Sequence, residues 1–234
     1  MIWKTNKTLA TITIVDNSLY FTGAFKAILS TSVALSENFR FIFVLPEKST
    51  VIPLVESKNI LVITLPLVEL SRRFFDIILY LPIVFLNGFR LSRIAEAHNA
   101  RIIRVNDYYN LVGTVAKLFL PSLKLVTHIR KMPDSFPSFL NRIWLAIHKM
   151  FSNRIIVVSK AVIKKLPPGY PARLIYDGLS EKEQYPPRKF SLKNRDEIRL
   201  LYLGHFIPGK GQDYALEAFR GAYKICKDIR LRYI

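Results

Sequence analysis

The sequence of 234 residues carries 35 Lys and Arg against 17 Asp and Glu, a net charge of +18, and half of it is hydrophobic. This composition excludes a disordered or fibrous chain and calls for a packed core with an anionic partner, whether a membrane surface, a nucleotide or a nucleic acid. The single cysteine, Cys226, excludes an internal disulfide framework and a multi-cysteine zinc site, and fits a reducing, cytoplasmic compartment.

The start does not read as a secretory signal, because Lys4 and Lys7 lead into a short β-branched stretch with Asp16 rather than a cleavable apolar region. β-Branched runs then recur at 9–15, 39–45, 60–65, 101–105, 124–129, 154–158, 173–176 and 198–203. Between them, 24–36, 68–97, 111–119, 138–151, 159–166 and 212–227 show apolar residues at three- and four-residue spacing, the helical period. Strands this rich in Val, Ile and Leu need helices on both faces, so the pattern predicts an α/β chain with a doubly wound, parallel, Rossmann-like sheet. The most apolar stretch, 74–89, contains Asp76 and Pro82. It falls short of the ~20 residues a spanning helix needs.

Composition changes after Gly178, where charged residues and prolines replace apolar ones. The expected organisation is an N-terminal domain over 1–180, a linker over 181–197 and the start of a second α/β domain over 198–234. One βαβ unit buries too little surface to stand alone, so the chain reads as cut short inside that second domain.

Two phosphate-binding signatures are incomplete. The first strand leads through Asp16 and Thr22 to Gly23 and a helix, but one glycine stands where the dinucleotide fingerprint needs three, which argues against NAD. Residues 204–210, Gly-His-Phe-Ile-Pro-Gly-Lys, match the first seven positions of a P-loop, yet Gly211 stands where Mg²⁺ would need Ser or Thr. What remains is a strand, a Gly-x-x-x-x-x-Lys-Gly loop and an amphipathic helix.

That stretch, Leu-Leu-Tyr-Leu-Gly-His-Phe-Ile-Pro-Gly-Lys-Gly-Gln-Asp-Tyr-Ala-Leu-Glu-Ala-Phe over 200–219, resembles the opening of the C-terminal domain of the family-4 retaining glycosyltransferases, whose two Rossmann-like domains make the GT-B fold. Residues 154–178, ending Leu-Ile-Tyr-Asp-Gly, are similar to the family's strands before the interdomain linker. Residues 102–130, with Asn106, Asp107, Asn110, Gly113, His128 and Arg130, are similar to its middle N-domain strands. The resemblance implies transfer of a sugar from a nucleotide-diphosphate donor, a nucleotide sugar, to a polysaccharide or lipid-linked acceptor in bacterial surface-glycan synthesis. It further implies retained configuration, no metal or other cofactor, and a front-face mechanism assisted by the departing phosphate. The family's Glu, seven residues, Glu motif would lie beyond Ile234, so this chain alone would be incomplete or inactive.

For the donor side the resemblance implies Gly23, Gly204, His205, Lys210 and Gly211. Lys210 would neutralise charge that develops as the nucleotide departs, its other reading being a solvated loop lysine. His205 stands where the family has Arg or Lys; mostly neutral at pH 7, it offers one hydrogen bond or a weaker hold on the donor. His128, at the carboxyl edge of its strand where ligands bind in open sheets, is the candidate catalytic residue, a donor to a sugar or acceptor hydroxyl, or else a histidine satisfied by backbone. Asn17, Thr22, Asn106, Arg130 and Lys131 form the candidate acceptor side, the last two suited to a phosphate or carboxylate or to solvent. Ser159 is an N-cap or a ligand contact. His98 and His148 are expected on helix surfaces, and no histidine pair has metal-ligand spacing with a carboxylate.

Eleven Lys and Arg fall between 117 and 173 against Asp134 alone. Within them, 138–151 sets Phe139, Leu140, Ile143, Trp144, Ile147 and Met150 along one helical side with Arg142 and Lys149 elsewhere. This suits a helix on anionic lipid, and equally a core helix with a solvated rim. An anionic membrane surface is thus a further expected partner, with attachment at the inner face of the cytoplasmic membrane. The competing function is a non-catalytic basic module for acidic glycan or membrane. Nucleic acid is not an expected partner, because no recognition motif accompanies the charge.

Overall fold

The computed structural model describes residues 9–67, 74–135, 137–178, 197–204 and 210–234, with the backbone alone over 74–79. His205, the predicted helix start at 68–73 and all but the last residue of the expected linker lie outside them. Two compact units divide the chain, Met1–Glu183 and Gln184–Ile234.

In the first unit, β1 (Ala10–Val15), β2 (Phe39–Pro46), β3 (Leu61–Leu65), β4 (Ala100–Asn106), β5 (Lys124–Ile129), β6 (Arg154–Val157) and β7 (Ala172–Leu174) form one sheet in the order β3-β2-β1-β4-β5-β6-β7. Every ladder is parallel. The crossovers carry α1 (Gly23–Ala34), α2 (Ile52–Glu56), α3 (Phe74–Ala97), α4 (Val112–Phe119), α5 (Ser138–Phe151) and α6 (Lys160–Lys164). The predicted doubly wound Rossmann-like sheet is therefore present. The short α2, with proline in its first turn, has too few residues to show a helical period and escapes the sequence reading.

Successive strand residues face opposite sides, and each side has its own core. Ile14, Phe43 and Leu45 pack with Phe25 and Ile28 of α1 and Val55 of α2. Val15, Val105, Leu125 and Val157 face the other way, onto α3, α4 and α5 through Leu91, Ala116, Trp144 and Leu145. Two glycines set the spacing of that second layer. A Cβ on Gly113 would lie 2.4 Å from Val105 Cγ2, so α4 seats directly on β4; one on Gly88 would lie 2.4 Å from Val115 Cγ1, so α3 and α4 touch at backbone distance.

The structure corrects the reading of His148. It is fully buried, its Nε2 2.6 Å from the Tyr108 carbonyl and its Nδ1 3.0 Å from Thr127 Oγ1, and burial pushes its pKa down to about 4. The apolar arc of α5 is also wider than its buried arc. Trp144 and Leu145 enter the core and Leu140 and Ile147 pack at its margin, while Phe139, Ile143 and Met150 stay exposed beside Arg142 and Lys149.

The second unit holds β8 (Ile198–Tyr202), α7 (Gln212–Ile225) and β9 (Ile229–Tyr233), a single parallel βαβ unit. Glu197 ties it together by bonding both Arg199, at 3.0 Å, and Arg230.

Candidate functional site

The chain leaves β1 for β2 in one direction across the sheet, whereas β4 lies on the other flank of β1. The crevice beyond the carboxyl ends of β1 and β4 is thus the topological switch point, where open α/β sheets bind ligands. Polar side chains converge there. Val15 pairs with Val105, and Asn106 pairs with His128, so Asp16, Asn106 and His128 end three adjacent strands in one row.

A connected set of hydrogen bonds runs along this edge. Asn106 Nδ2 donates to Asp16 Oδ2, whose Oδ1 accepts the Ser18 N–H at 2.7 Å. Arg130 Nε donates to Asn106 Oδ1 at 2.7 Å, and its two terminal nitrogens donate to Asp177 at 2.6 and 3.0 Å. Asn110 Nδ2 donates to Asn17 Oδ1 at 2.7 Å. Asp107, held at φ +146°, accepts the Tyr108 N–H at 3.0 Å and the Arg130 and Lys131 N–H groups at 3.3 Å each. One strained, buried carboxylate thereby binds the exits of β4 and β5 together.

The electrostatics follow from burial. Asp16 is pushed up by desolvation against the bonds from Ser18 and Asn106. Asp107 is pushed up to about 6 for the same reason, its backbone donors opposing. Arg104, two residues before Asn106 on the same face of β4, falls to about 10 through burial and the charge of Arg130. His128 falls to about 2, first by burial and then by the charges of Arg104 and Arg130. Arg104 Nη2 lies 3.3 Å from His128 Nδ1. A guanidinium only donates, so Nδ1 accepts and the ring proton sits on Nε2. His128 is therefore a neutral donor, suited to a hydroxyl and unable to deliver a proton as an imidazolium.

The structure brings Asn17, Thr22, Gly23, Asn106, His128, Arg130 and Lys131 to one sheet edge. Thr22 uses its hydroxyl as the N-cap of α1, accepting the Phe25 N–H at 3.2 Å, and a Cβ on Gly23 would meet open space. Ser159 likewise caps α6, accepting from Val162 at 3.2 Å. Arg130 spends its guanidinium on Asp177 and Asn106, so an anion at that position competes with Asp177. Lys131 extends its ammonium 4.6 Å above the Tyr109 ring. The sequence reading named Asp107 only within the resemblance and missed Arg104 and the ion-pair role of Asp177: the β4–β5 register sets Arg104 near His128, and the loop after β7 brings Asp177 to Arg130.

In the second unit Gly204 follows β8 and Gly211 caps α7 at φ +84°, a conformation that selects glycine. Lys210, exposed between them, offers its carbonyl to the Tyr202 hydroxyl. Among the described residues no group of three His, Cys, Asp or Glu side chains converges to hold a metal ion, and no helix is long and apolar enough to cross a membrane.

No family model and no curated protein matches the sequence. Solved structures do match. Anabaena Alr3699/HepE in complex with UDP and glucose superposes with a TM-score of 0.67 at 18% identity, covering 95% of this chain and 60% of that one. The likeness is one of fold. A glycosyltransferase from Rickettsia africae ESF-5 gives 0.59 at 16% identity over 97% and 68% of the two chains. The apo form of the lipopolysaccharide outer core galactosyltransferase WaaB gives 0.62 at 13% over 96% and 60%. This chain thus spans about 60% of the length of HepE and WaaB.

Proposed function

We propose that the protein takes part in sugar transfer from a nucleotide-diphosphate donor to a hydroxyl of a polysaccharide or lipid-linked acceptor, as a member of the retaining GT-B transferases acting in surface-glycan synthesis. One observation carries this reading: almost the whole chain follows the fold of a protein solved with UDP and with UDP-glucose. The polar strand ends at the switch point support it by supplying what a sugar hydroxyl needs, a neutral His128 donor next to Asn106 in the row.

On this reading His128 Nε2–H orients an acceptor or donor hydroxyl. Lys210 places an ammonium where charge grows on the leaving diphosphate, with the N-terminus of α7 and its Gly211 cap beside it. Arg130 and Lys131 serve an acidic acceptor, with Asp177 as the internal stand-in for its charge. No protein nucleophile and no metal is required.

The test is nucleotide release from a panel of UDP- and other nucleotide-sugars, with and without oligosaccharide acceptors. Release with at least one donor is expected once the second unit, a single βαβ unit in this chain, is extended to a full donor domain. Lys210→Ala should then lower kcat more than it raises the acceptor KM, because the charge it faces is greatest in the transition state. Binding of an acidic glycan with no release from any donor would overturn the transfer reading in favour of a binding module.

A further inference from the structure

Helix α3 has two unlike sides. Tyr80, Val84, Leu91 and Ala95 point into the core. At four-residue steps on the outward side stand Leu81, Phe85 and Phe89, exposed by 66%, 57% and 47%. The close approach at Gly88 brings the end of α4 against them. The Phe119 ring, itself 41% exposed, lies 5.1 Å from that of Phe85 and 5.2 Å from that of Phe89, edge-on to both, with Leu86 and Leu118 exposed alongside. Three aromatic rings packed on one another in solvent, with leucines beside them, form one contiguous exposed apolar ridge.

The charges around the ridge are mostly positive. Arg90 and Arg93 continue the outward stripe of α3, and α5, in the same helical layer, exposes Arg142 and Lys149 between Phe139, Ile143 and Met150. Among the described outward residues of α3, α4 and α5 the one acid is Glu96, 2.7 Å from Arg93. Apolar rings among cations match a surface whose outer layer is anionic and whose next layer is hydrocarbon. The inner side of α3 is committed to the core, so the helix lies in such a surface and does not span it.

We propose that the outward face of α3 and α4, with α5 beside it, docks on an anionic lipid bilayer, the Phe85–Phe89–Phe119 ridge entering the headgroup–acyl boundary while Arg90, Arg93, Arg142 and Lys149 meet lipid phosphates. This differs from a purely electrostatic anchor because the apolar ridge contributes after charge is screened. It stands apart from the transfer reading, since its probe contains no sugar.

The experiment is co-sedimentation of the 234-residue chain with vesicles of phosphatidylcholine alone and of phosphatidylcholine with one part in three phosphatidylglycerol. Preferential binding to the second is expected, reduced but retained in 1 M salt, where screening falls to ~3 Å. Phe85→Ser with Phe89→Ser should weaken partition about tenfold with circular dichroism unchanged. Leu81→Gln, at the most exposed ridge position, gives a second and milder readout. Arg90→Gln with Arg93→Gln should lower binding to the anionic vesicles alone. No binding by the unaltered chain, equal binding to both vesicle types, or binding that salt abolishes and the Phe and Leu variants leave intact would overturn the proposal. So would a dimer that Phe85→Ser with Phe89→Ser dissociates, since a second copy would then be the occupant.

Discussion

His128 sits beside two guanidiniums in a site that excludes water, and both effects disfavour its protonation. Its pKa near 2 means that it does not titrate between pH 5.5 and 8. Under the proposed function His128→Asn should lower the rate by a factor that stays constant across that range. A profile whose inflection near pH 6.5 disappears in the variant would show an imidazole that cycles its proton, against the geometry described. Arg130 offers a complementary test. Asp177→Asn removes the carboxylate that occupies its guanidinium, and inorganic phosphate should then bind several-fold more tightly by calorimetry; unchanged affinity would mean that Arg130 is purely structural. These residues show how far local sequence reaches. The strand-end position of His128 was legible because a polar residue ending a buried apolar strand stands out. The Arg130–Asp177 and Arg104–His128 contacts were not, since the first depends on how the loop after β7 returns over the sheet edge and the second on the β4–β5 register, neither of which a short pattern encodes.

Among the elements, the strands were legible almost to the residue, because a parallel strand covered on both faces must be continuously apolar. Helix faces were less so. The apolar arc of α5 includes positions that stay in solvent, and His148, polar by type, is buried because the Tyr108 carbonyl and the Thr127 hydroxyl satisfy both ring nitrogens. Helix spacing was invisible, yet it rests on single atoms. Alanine ordinarily stabilises a helix relative to glycine by about 1 kcal/mol. At Gly88 the sign should reverse, because the added methyl would enter Val115, and a loss of about 1–3 kcal/mol is expected from overpacking. Val115→Ala should recover most of that loss in the double variant, measured by urea unfolding. Independent, additive effects would place the helices farther apart than 2.4 Å from methyl to Cγ1 implies.

At the scale of the whole molecule, buried titratable groups set how stability responds to acid. His148 and His128 are held below the ordinary 6.5, so the unfolded chain binds more protons than the folded one below that pH, and stability is lost as pH falls from about 6.5. Asp107 works in the opposite sense. Its carboxyl is held up near 6 from 3.8, so the folded chain binds the extra proton in that window and stability falls as pH rises through it. Asp107→Asn, which keeps an oxygen for the three backbone donors, should therefore steepen the loss between pH 7 and pH 5 by about 1 kcal/mol in urea titrations. Equal losses in the two proteins would mean that Asp107 does not titrate there. The doubly wound architecture was legible from strand and helix alternation, but the strand order was not, since alternation leaves open on which flank of β1 the later strands settle. That order has a consequence for synthesis. The first strand, β1, is interior to the sheet and pairs with β4 at Ile12 and Ile102, some ninety residues apart. At ribosomal speeds of about 5–20 residues per second, β1 emerges roughly 5–20 s before its second neighbour exists. Throughout that interval an interior strand of the finished sheet is an open edge, and the nascent chain is exposed to wrong pairing at a place that will later be covered on both sides.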